Sequence, residues 1–385
     1  HRGGRPTEST RRQDDLNQQL IDAARAGHRV VRLKGGDPYV FGRGGEEAIA
    51  LRDAGIPFEV VSGVSAAMAV PAYAGIPLTH RGVAQTATLV TGHEDPSSAN
   101  VDWASLARAG GTLVIFMGSR RVGAITRTLI EAGRAETTPA AAIQWGTRPQ
   151  QRTITATLAT LEQEMATAQL RAPVLLVVGE VVAQRQALEW FEGRPLFGRR
   201  ILITRSREQC RPLRLLLEAE GGEVFELPML QLSDPEDAAP LDKALTQLQK
   251  FQWIIFTSPN AVSYFFTSLQ RSGRDARALG SCRIATIGSA TASHLADYGI
   301  SPDLTPTSHS SAGLAAAFAD IDLQDAQILI PSSAIGITDL DEELERRGAK
   351  TQRVTAYENH PPNPDEVEIP EALSSGEMDC VVFAS

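Results

Sequence analysis

Apolar and polar positions along the first 200 residues alternate between helical spacing and short continuous runs. Leu16, Leu20, Ile21 and Ala24 recur at helical spacing and predict a helix over residues 14–26, with Gly27 as its stop. Val30, Val31 and Leu33 form a run that predicts a short buried strand. Gly35-Gly36 then predicts a tight turn, and Asp37-Pro38 the cap and first position of a helix reaching about Asp53. Gly55-Ile56-Pro57 ends that helix, residues 59–61 read as a strand, and Ser65-Ala66-Ala67 opens another helix. From about Val83 the predicted strands are 87–91, 112–116, 140–144 and 174–178, with helices over 102–109 and 121–132. Such alternation predicts α/β layers. It ends near Trp190, and Glu192-Gly193-Arg194-Pro195 reads as a linker.

A new unit starts at Arg199 with RRILITR, a helix, Gly221-Gly222 and EVFELPML. This half carries a weak internal repeat. Ile201-Leu202-Ile203 recurs as Ile328-Leu329-Ile330, and the string from Trp253 to Ser258 recurs from Cys380 to Ser385; both pairs are 127 residues apart (201 to 328, 253 to 380). A constant offset of that size predicts two similar α/β lobes rather than a solenoid.

The 385 residues call for two or more domains, and 42% hydrophobic with 22% charged content is ordinary for a soluble globular chain. A net charge of −9 argues against a general nucleic-acid binder. The three cysteines, Cys210, Cys282 and Cys380, have no metal-ligand spacing and suit a reducing cytoplasm. No apolar run is long enough to cross a membrane, and no signal peptide is visible. The chain opens without Met and stops inside a strand-like run, so it is expected to be a fragment of a longer protein.

The amides of the Gly35-Gly36 turn make a seat for a polar ligand, and equally a plain strand–turn–helix connection with Asp37 as cap. Arg2, Arg5, Arg11 and Arg12 face one acid, Glu8, which suits a solvated basic loop or an anion-binding one. Dinucleotide binding is disfavoured, because no strand leads into Gly-x-Gly-x-x-Gly.

The strings are more specific than their spacing. RLKGGDPYVFGRGGEE (32–47), GVSAAMAVPAYAGIPLTHR (63–81), LVTGH (89–93), TLVIFMG (112–118), AAIQWGTRPQQR (141–152) and APVLLVVGEVVAQR (172–185) appear in that order. Residues 1–192 thereby resemble the uroporphyrinogen-III C-methyltransferases of the tetrapyrrole methylase family. The resemblance implies a two-lobed α/β fold, lobes about 1–82 and 83–192, lacking its N-terminal part. It implies S-adenosylmethionine as methyl donor, bound against Gly35, Gly36, Asp37, Val40, Ser65, Ala66, Met117 and Gly146. Met117 alone would suit a core position; its place in TLVIFMG argues for the donor wall. The implied substrate carries eight carboxylates and calls for cations, for which Lys34, Arg43, His80, Arg81, Arg148 and Arg152 are the candidates. Arg43 equally suits pairing with Glu46 or Glu47. The family's opening Gly-rich turn and a catalytic Asp would lie before residue 1, and His1 stands where the family has a Lys proposed as proton donor. The family has Pro where this chain has Ser62. The resemblance also implies a homodimer.

ILITR, FTSPNAV (256–262), IGSATASHLADYG (287–299) and RVTAYENHPP (353–362) resemble uroporphyrinogen-III synthase over residues 199–385. That implies a two-lobed Rossmann-like fold, lacking its C-terminal part, after a linker at 193–198. Lobe one would be 199–230 with 360–385 and lobe two 231–359. Tyr357 matches a family Tyr implicated as acid, and alternatively is a hinge tyrosine. Thr257, Ser258, Ser289 and Thr291 follow apolar strands, where they suit cleft binding or helix capping. The synthase half is expected to need no cofactor, and neither half a metal.

Together these expectations describe a cytoplasmic bifunctional enzyme of sirohaem and cobalamin biosynthesis. It would close hydroxymethylbilane to uroporphyrinogen III and methylate that to precorrin-2. The alternative is a methyltransferase with a non-catalytic two-lobed binding or regulatory module.

Overall fold

The computed structural model describes residues 8–97, 100–335, 339–363 and 369–383, the side chains of 8–12 and 207–209 left aside. His1 lies outside the described residues. The chain parts into two compact units, residues up to Ile201 with Leu215–Val224, and Leu202–Arg214 with Phe225–Ser385.

In the first unit three helices, α1 (Glu8–Arg25), α2 (Gly44–Asp53) and α3 (Ala66–Tyr73), precede a five-stranded sheet. Its elements are β1 (Ala87–Thr91), α4 (Trp103–Ala109), β2 (Thr112–Phe116), α5 (Val122–Glu131), β3 (Pro139–Gln144), β4 (Arg152–Thr157), α6 (Leu161–Thr167) and β5 (Val174–Val178). The order is β1-β2-β5-β3-β4, with only β1 and β2 parallel. Both faces of this sheet are covered, so its central strands read as unbroken apolar runs. Leu113, Ile115, Ala140, Ala142, Leu176 and Val178 pack on one side with Ile125 and Leu129 of α5 and Leu161 of α6. Val114, Ala141, Ile143, Leu175 and Val177 pack on the other with Ala67 and Val70 of α3. Each such buried branched side chain contributes about 1.5–3 kcal/mol.

Three local expectations need correction. Residues 30–33 and 59–61 are irregular, and Val31 and Leu33 are 82% and 83% exposed. Apolar runs become strands only against a ladder partner, and neither has one among the described residues. Asp37 does not cap a helix starting at Pro38. The chain instead makes a turn in which the Gly44 amide donates to the Pro38 carbonyl at 2.9 Å, and α2 begins after Arg43, whose φ is +57°. β4 is an addition: Arg152–Thr157 returns antiparallel along β3.

Two further sheets follow along the chain. After a short α7 (Arg185–Leu188), β6 (Arg200–Ile203) leads to α8 (Arg207–Ala219), then β7 (Glu223–Glu226) and β8 (Gln231–Ser233). Helix α9 (Ala239–Thr246), β9 (Trp253–Phe256), α10 (Pro259–Arg271), β10 (Arg283–Thr286), α11 (Ser289–Ala296), α12 (Ser311–Ala317), β11 (Gln327–Ser333), α13 (Asp339–Arg346) and β12 (Lys350–His360) follow. α14 (Glu371–Ser374) and β13 (Cys380–Val382) complete the described elements. The larger sheet has the order β10-β9-β11-β12-β8 and the smaller β13-β6-β7. Strands β10, β9, β11 and the first part of β12 are parallel, and β8 closes one edge antiparallel. Both members of each repeated pair are strands, β6 with β11 and β9 with β13. The copies exchange partners: β11 pairs with β9, and β6 with β13.

Glu47 of α2 pairs with two cations of the segment leading into the glycine turn, Arg32 at 3.4 Å and, more closely, Lys34. Lys34 Nζ lies 2.8 and 2.9 Å from the Glu47 carboxylate oxygens, with side-chain exposures of 13% and 7%. Burial pushes the Glu47 carboxyl up, but the bonds from Lys34 and Gln13 outweigh it and hold it below its ordinary value. A depressed carboxyl stabilises the fold at neutral pH and loses that contribution as pH falls through its folded-state value. Glu47→Gln strands Lys34 and is expected to cost about 3 kcal/mol at pH 7 by urea melts. The gap between the two proteins should narrow in acid; a constant gap from pH 7 to 3 would contradict the pairing.

Candidate active sites

The glycine turn of the first unit is fastened to the loop before α3. Asp37 Oδ1 accepts the Tyr39 amide at 2.8 Å, and Oδ2 accepts the Ser62 hydroxyl at 2.7 Å and the Gly63 amide at 3.1 Å. The Ser62 hydroxyl, followed by the Tyr39 and Gly63 amides, holds the Asp37 carboxyl below its ordinary value. Contact is close enough that a Cβ on Gly63 would lie 2.6 Å from the Gly36 carbonyl oxygen. Gly36 itself has φ +114°. Ser65 caps α3, accepting the Ala67 amide at 3.3 Å, and Ala66 is the first helical residue.

Two further segments reach this turn. The Phe41 ring lies 4.9 Å from that of Phe116, so the stretch from Val40 abuts the end of β2, where Met117 follows with φ +56°. Gly146 follows β3 against α3: a Cβ there would stand 2.4 Å from Val70 Cγ1. The eight residues expected to hold the methyl donor thus sit on segments tied to one another. Among the described residues seven non-glycines take left-handed φ, and Phe41, Arg43, Met117, Trp145 and Thr147 are on these segments. Left-handed strain of this kind concentrates at ligand sites.

The surroundings of Gly35 are open. A Cβ there would meet nothing within 4 Å, and the backbone is outside the left-handed region. Neither packing nor conformation of this chain demands glycine. Gly146 is the opposite case, fixed by Val70.

The expected cations divide. Lys34 is committed to Glu47, Arg43 bonds Glu46 through Nε and Nη2 at 3.0 and 2.7 Å, and Arg152 Nη2 donates to the Ala168 carbonyl at 2.8 Å. His80, Arg81 and Arg148 are exposed, Arg148 lying 5.3 Å from the centre of the Trp145 ring. Sequence reading missed what holds the Trp145–Gln151 turn. Gln151 is buried, accepts the Thr147 amide at 2.7 Å, and donates to Tyr73 O at 3.3 Å and Glu192 Oε1 at 2.7 Å. Glu192 also accepts Arg185 Nη2 at 2.9 Å. The only signal for Gln151 was its place inside AAIQWGTRPQQR.

In the second unit Tyr357 is 7% exposed, with its hydroxyl 3.2 Å from Ser258 Oγ and its ring stacked on Tyr264 at 5.5 Å. A bulge opposite Ser332–Ser333 turns β12 at this residue. Ser258 also caps α10, accepting the Ala261 amide at 3.1 Å, and Pro259 follows at the first helical position. Thr257, half-buried, and Ser289, exposed, follow the carboxyl ends of β9 and β10, the customary ligand edge of a parallel sheet. Thr291 is buried on α11, and Ser289 does not cap that helix; Gly288 stands at the cap. Tyr264 carried no sequence signal beyond helical spacing.

Residues 1–162 match the family model of Tetrapyrrole (Corrin/Porphyrin) Methylases, and residues 212–385 that of Uroporphyrinogen-III synthase HemD. The chain is 35% identical to the "Porphyrin biosynthesis protein HemD" of Ruminiclostridium josui over 97% of its own length and 74% of that protein's. The chain belongs to the fused tetrapyrrole methylase–uroporphyrinogen-III synthase family. It is therefore an enzyme chain of porphyrin biosynthesis with a methylase part and a synthase part. It is 37% identical to the "Uroporphyrinogen-III C-methyltransferase" of Bacillus subtilis (strain 168) over 72% of this chain, and spans 57% of that relative. The uroporphyrin-III C-methyl transferase of Thermus thermophilus, solved with S-adenyl homocysteine, is 38% identical over 44% of this chain and 74% of that one, with a TM-score of 0.40. No helix among the described residues is long and apolar enough to cross a membrane.

The two glycines predict opposite outcomes in a melt. Gly146→Ala should cost about 1–3 kcal/mol through the forced shift of Val70. Gly35→Ala should leave stability within about 0.5 kcal/mol. Equal losses would contradict the distinction drawn between them.

Proposed function

We propose that this chain acts twice on one pathway, cyclising hydroxymethylbilane to uroporphyrinogen III in its second half and methylating that product to precorrin-2 in its first. The observation that carries the methylase reading is the joining of the glycine turn, the start of α3, Met117 and Gly146 into one strained cradle with room beside Gly35. S-adenosylmethionine, when bound there, would supply a methyl group on a good leaving group. The chain's task is alignment. Gly35, Gly36 and Val40 would lie along the donor, Ser65 and Ala66 would offer small side chains, and Met117 an adaptable apolar wall. Asp37, with both oxygens occupied, would keep the two loops in register rather than move a proton. Arg81 and Arg148 are the cations best placed to meet substrate carboxylates, because Lys34, Arg43 and Arg152 already hold protein partners; exposed His80, whose Nδ1 lies 3.0 Å from the Arg81 carbonyl oxygen, would offer its other ring nitrogen.

In the synthase half the leaving hydroxide needs a proton, and the Tyr357 hydroxyl, shared with Ser258, would donate it. Thr257 and Ser289 would bind along the same strand ends. We place the methylase at 1–192, the linker at 193–198 and the synthase at 199–385, and propose a homodimer through the methylase half in a reducing cytoplasm.

Given hydroxymethylbilane and S-adenosylmethionine, the chain should form the type III ring carrying two added methyls, identified by isomer analysis and mass. Spontaneous type I ring closure, with methylation only when type III uroporphyrinogen is supplied, would leave a methylase with a silent second half. Gly35→Ala is expected to weaken donor binding about tenfold or more at unchanged stability. Tyr357→Phe should slow cyclisation about a hundredfold while the melting curve moves by only about 1 kcal/mol. An unchanged rate would remove Tyr357 as the acid.

A further inference from the structure

The turn between β6 and α8 has polar groups that the fold does not use. Ser206 is 6% exposed and stands immediately before the first residue of α8; its carbonyl accepts the Cys210 amide at 3.0 Å. A serine at that position ordinarily turns its hydroxyl onto an amide of the first helical turn. Here Ser206 Oγ is buried without a hydrogen-bond partner, and so is Nε of the preceding Arg205. Neighbouring groups show no such deficit: Thr204 Oγ1 donates to Val382 O at 3.1 Å, and Cys210 Sγ donates to Arg205 O at 3.2 Å. A buried polar group left unmatched costs folding free energy, and two on adjacent residues call for a common partner.

The chemistry of that partner follows from the donors. A guanidinium N–H, a hydroxyl and the first amides of a 13-residue helix follow one another along this turn. The helix dipole adds partial positive charge. Such a set accepts a planar oxyanion, and arginine matches a carboxylate well. The turn also lies at the carboxyl end of β6 in an open α/β sheet, where ligands enter. We propose that Arg205, Ser206 and the first turn of α8 form a carboxylate subsite, holding one acid side chain of the linear tetrapyrrole during ring closure. The identity of the ligand rests on the synthase reading; the donor set does not.

The full chain, with Arg205→Gln and Ser206→Ala, provides the test. Both variants should raise KM for hydroxymethylbilane, Arg205→Gln about tenfold, with kcat within about twofold. Ser206→Ala should melt no lower than the parent, because its hydroxyl caps nothing; a lowered Tm would mark an ordinary helix cap and overturn the proposal. Hydrogen exchange of the peptide from Arg205 to Cys210 supplies a readout without turnover. Uroporphyrin I, a non-reacting octacarboxylate, should protect this peptide in the parent and not in Arg205→Gln. Unchanged KM and unprotected amides would overturn the subsite. Equal protection by inorganic phosphate at the same concentration, with KM unmoved, would also overturn it, leaving a site for free oxyanions. If the parent chain forms no type III ring the synthase reading fails, and the exchange experiment alone decides for or against the carboxylate site.

Discussion

The Asp37 carboxylate joins two segments that no strand ladder holds among the described residues. Its oxygens accept from Tyr39 on one side and from Ser62 and Gly63 on the other. The glycine turn, the loop ahead of α3 and so the position of Ser65 and Ala66 all follow from that clasp. Ser62 is part of it because it carries a hydroxyl; the proline that the resemblance places there in relatives would have none to give. A residue that reads as a mild departure in the string is therefore a member of the Asp37 clasp.

Much of the sheet in the first unit was legible because its strands are buried on both faces. Thr112–Phe116 and Val174–Val178 are continuous apolar runs, and such runs have few other fates in a soluble chain. The same rule failed for Val30, Val31 and Leu33. Their hydrophobicity is real, but strand formation depends on a neighbour that local sequence does not contain. Asp37-Pro38 misled for a related reason: the pair is a good helix start in isolation, and the Ser62–Gly63 loop competes for the same carboxylate.

The candidate sites were legible as strings and poorly legible as interactions. Gly35, Gly36, Ser65, Met117 and Gly146 are brought into tied segments, while the division of the cations was hidden except for the Arg43–Glu46 pair, which helical spacing offered. Nothing in the spacing told that Lys34 would be spent on Glu47, or Arg152 on a carbonyl, while Arg148 lies by the Trp145 ring. Pairings across 13 or 16 positions with intervening turns are set by the fold. Tyr264, Gln151 and Ser206 were missed likewise, since stacking, backbone bracing and unmet hydrogen bonds exist only in three dimensions.

The exchange of strands between the repeat copies has a bearing on how the chain is made. β8 to β12, between Gln231 and His360, supply every strand of the larger sheet, so that sheet can close on itself while synthesis continues. β6 leaves the ribosome well before them, yet its neighbour β13 follows only at Cys380–Val382. Until then one side of β6 is an unpaired edge, and pairing at such sequence separation is slow. The earlier-made lobe is thus the later-finished one. A newborn chain presents Arg200–Ile203 as bait for chaperones or for another nascent copy, a hazard invisible in the completed molecule.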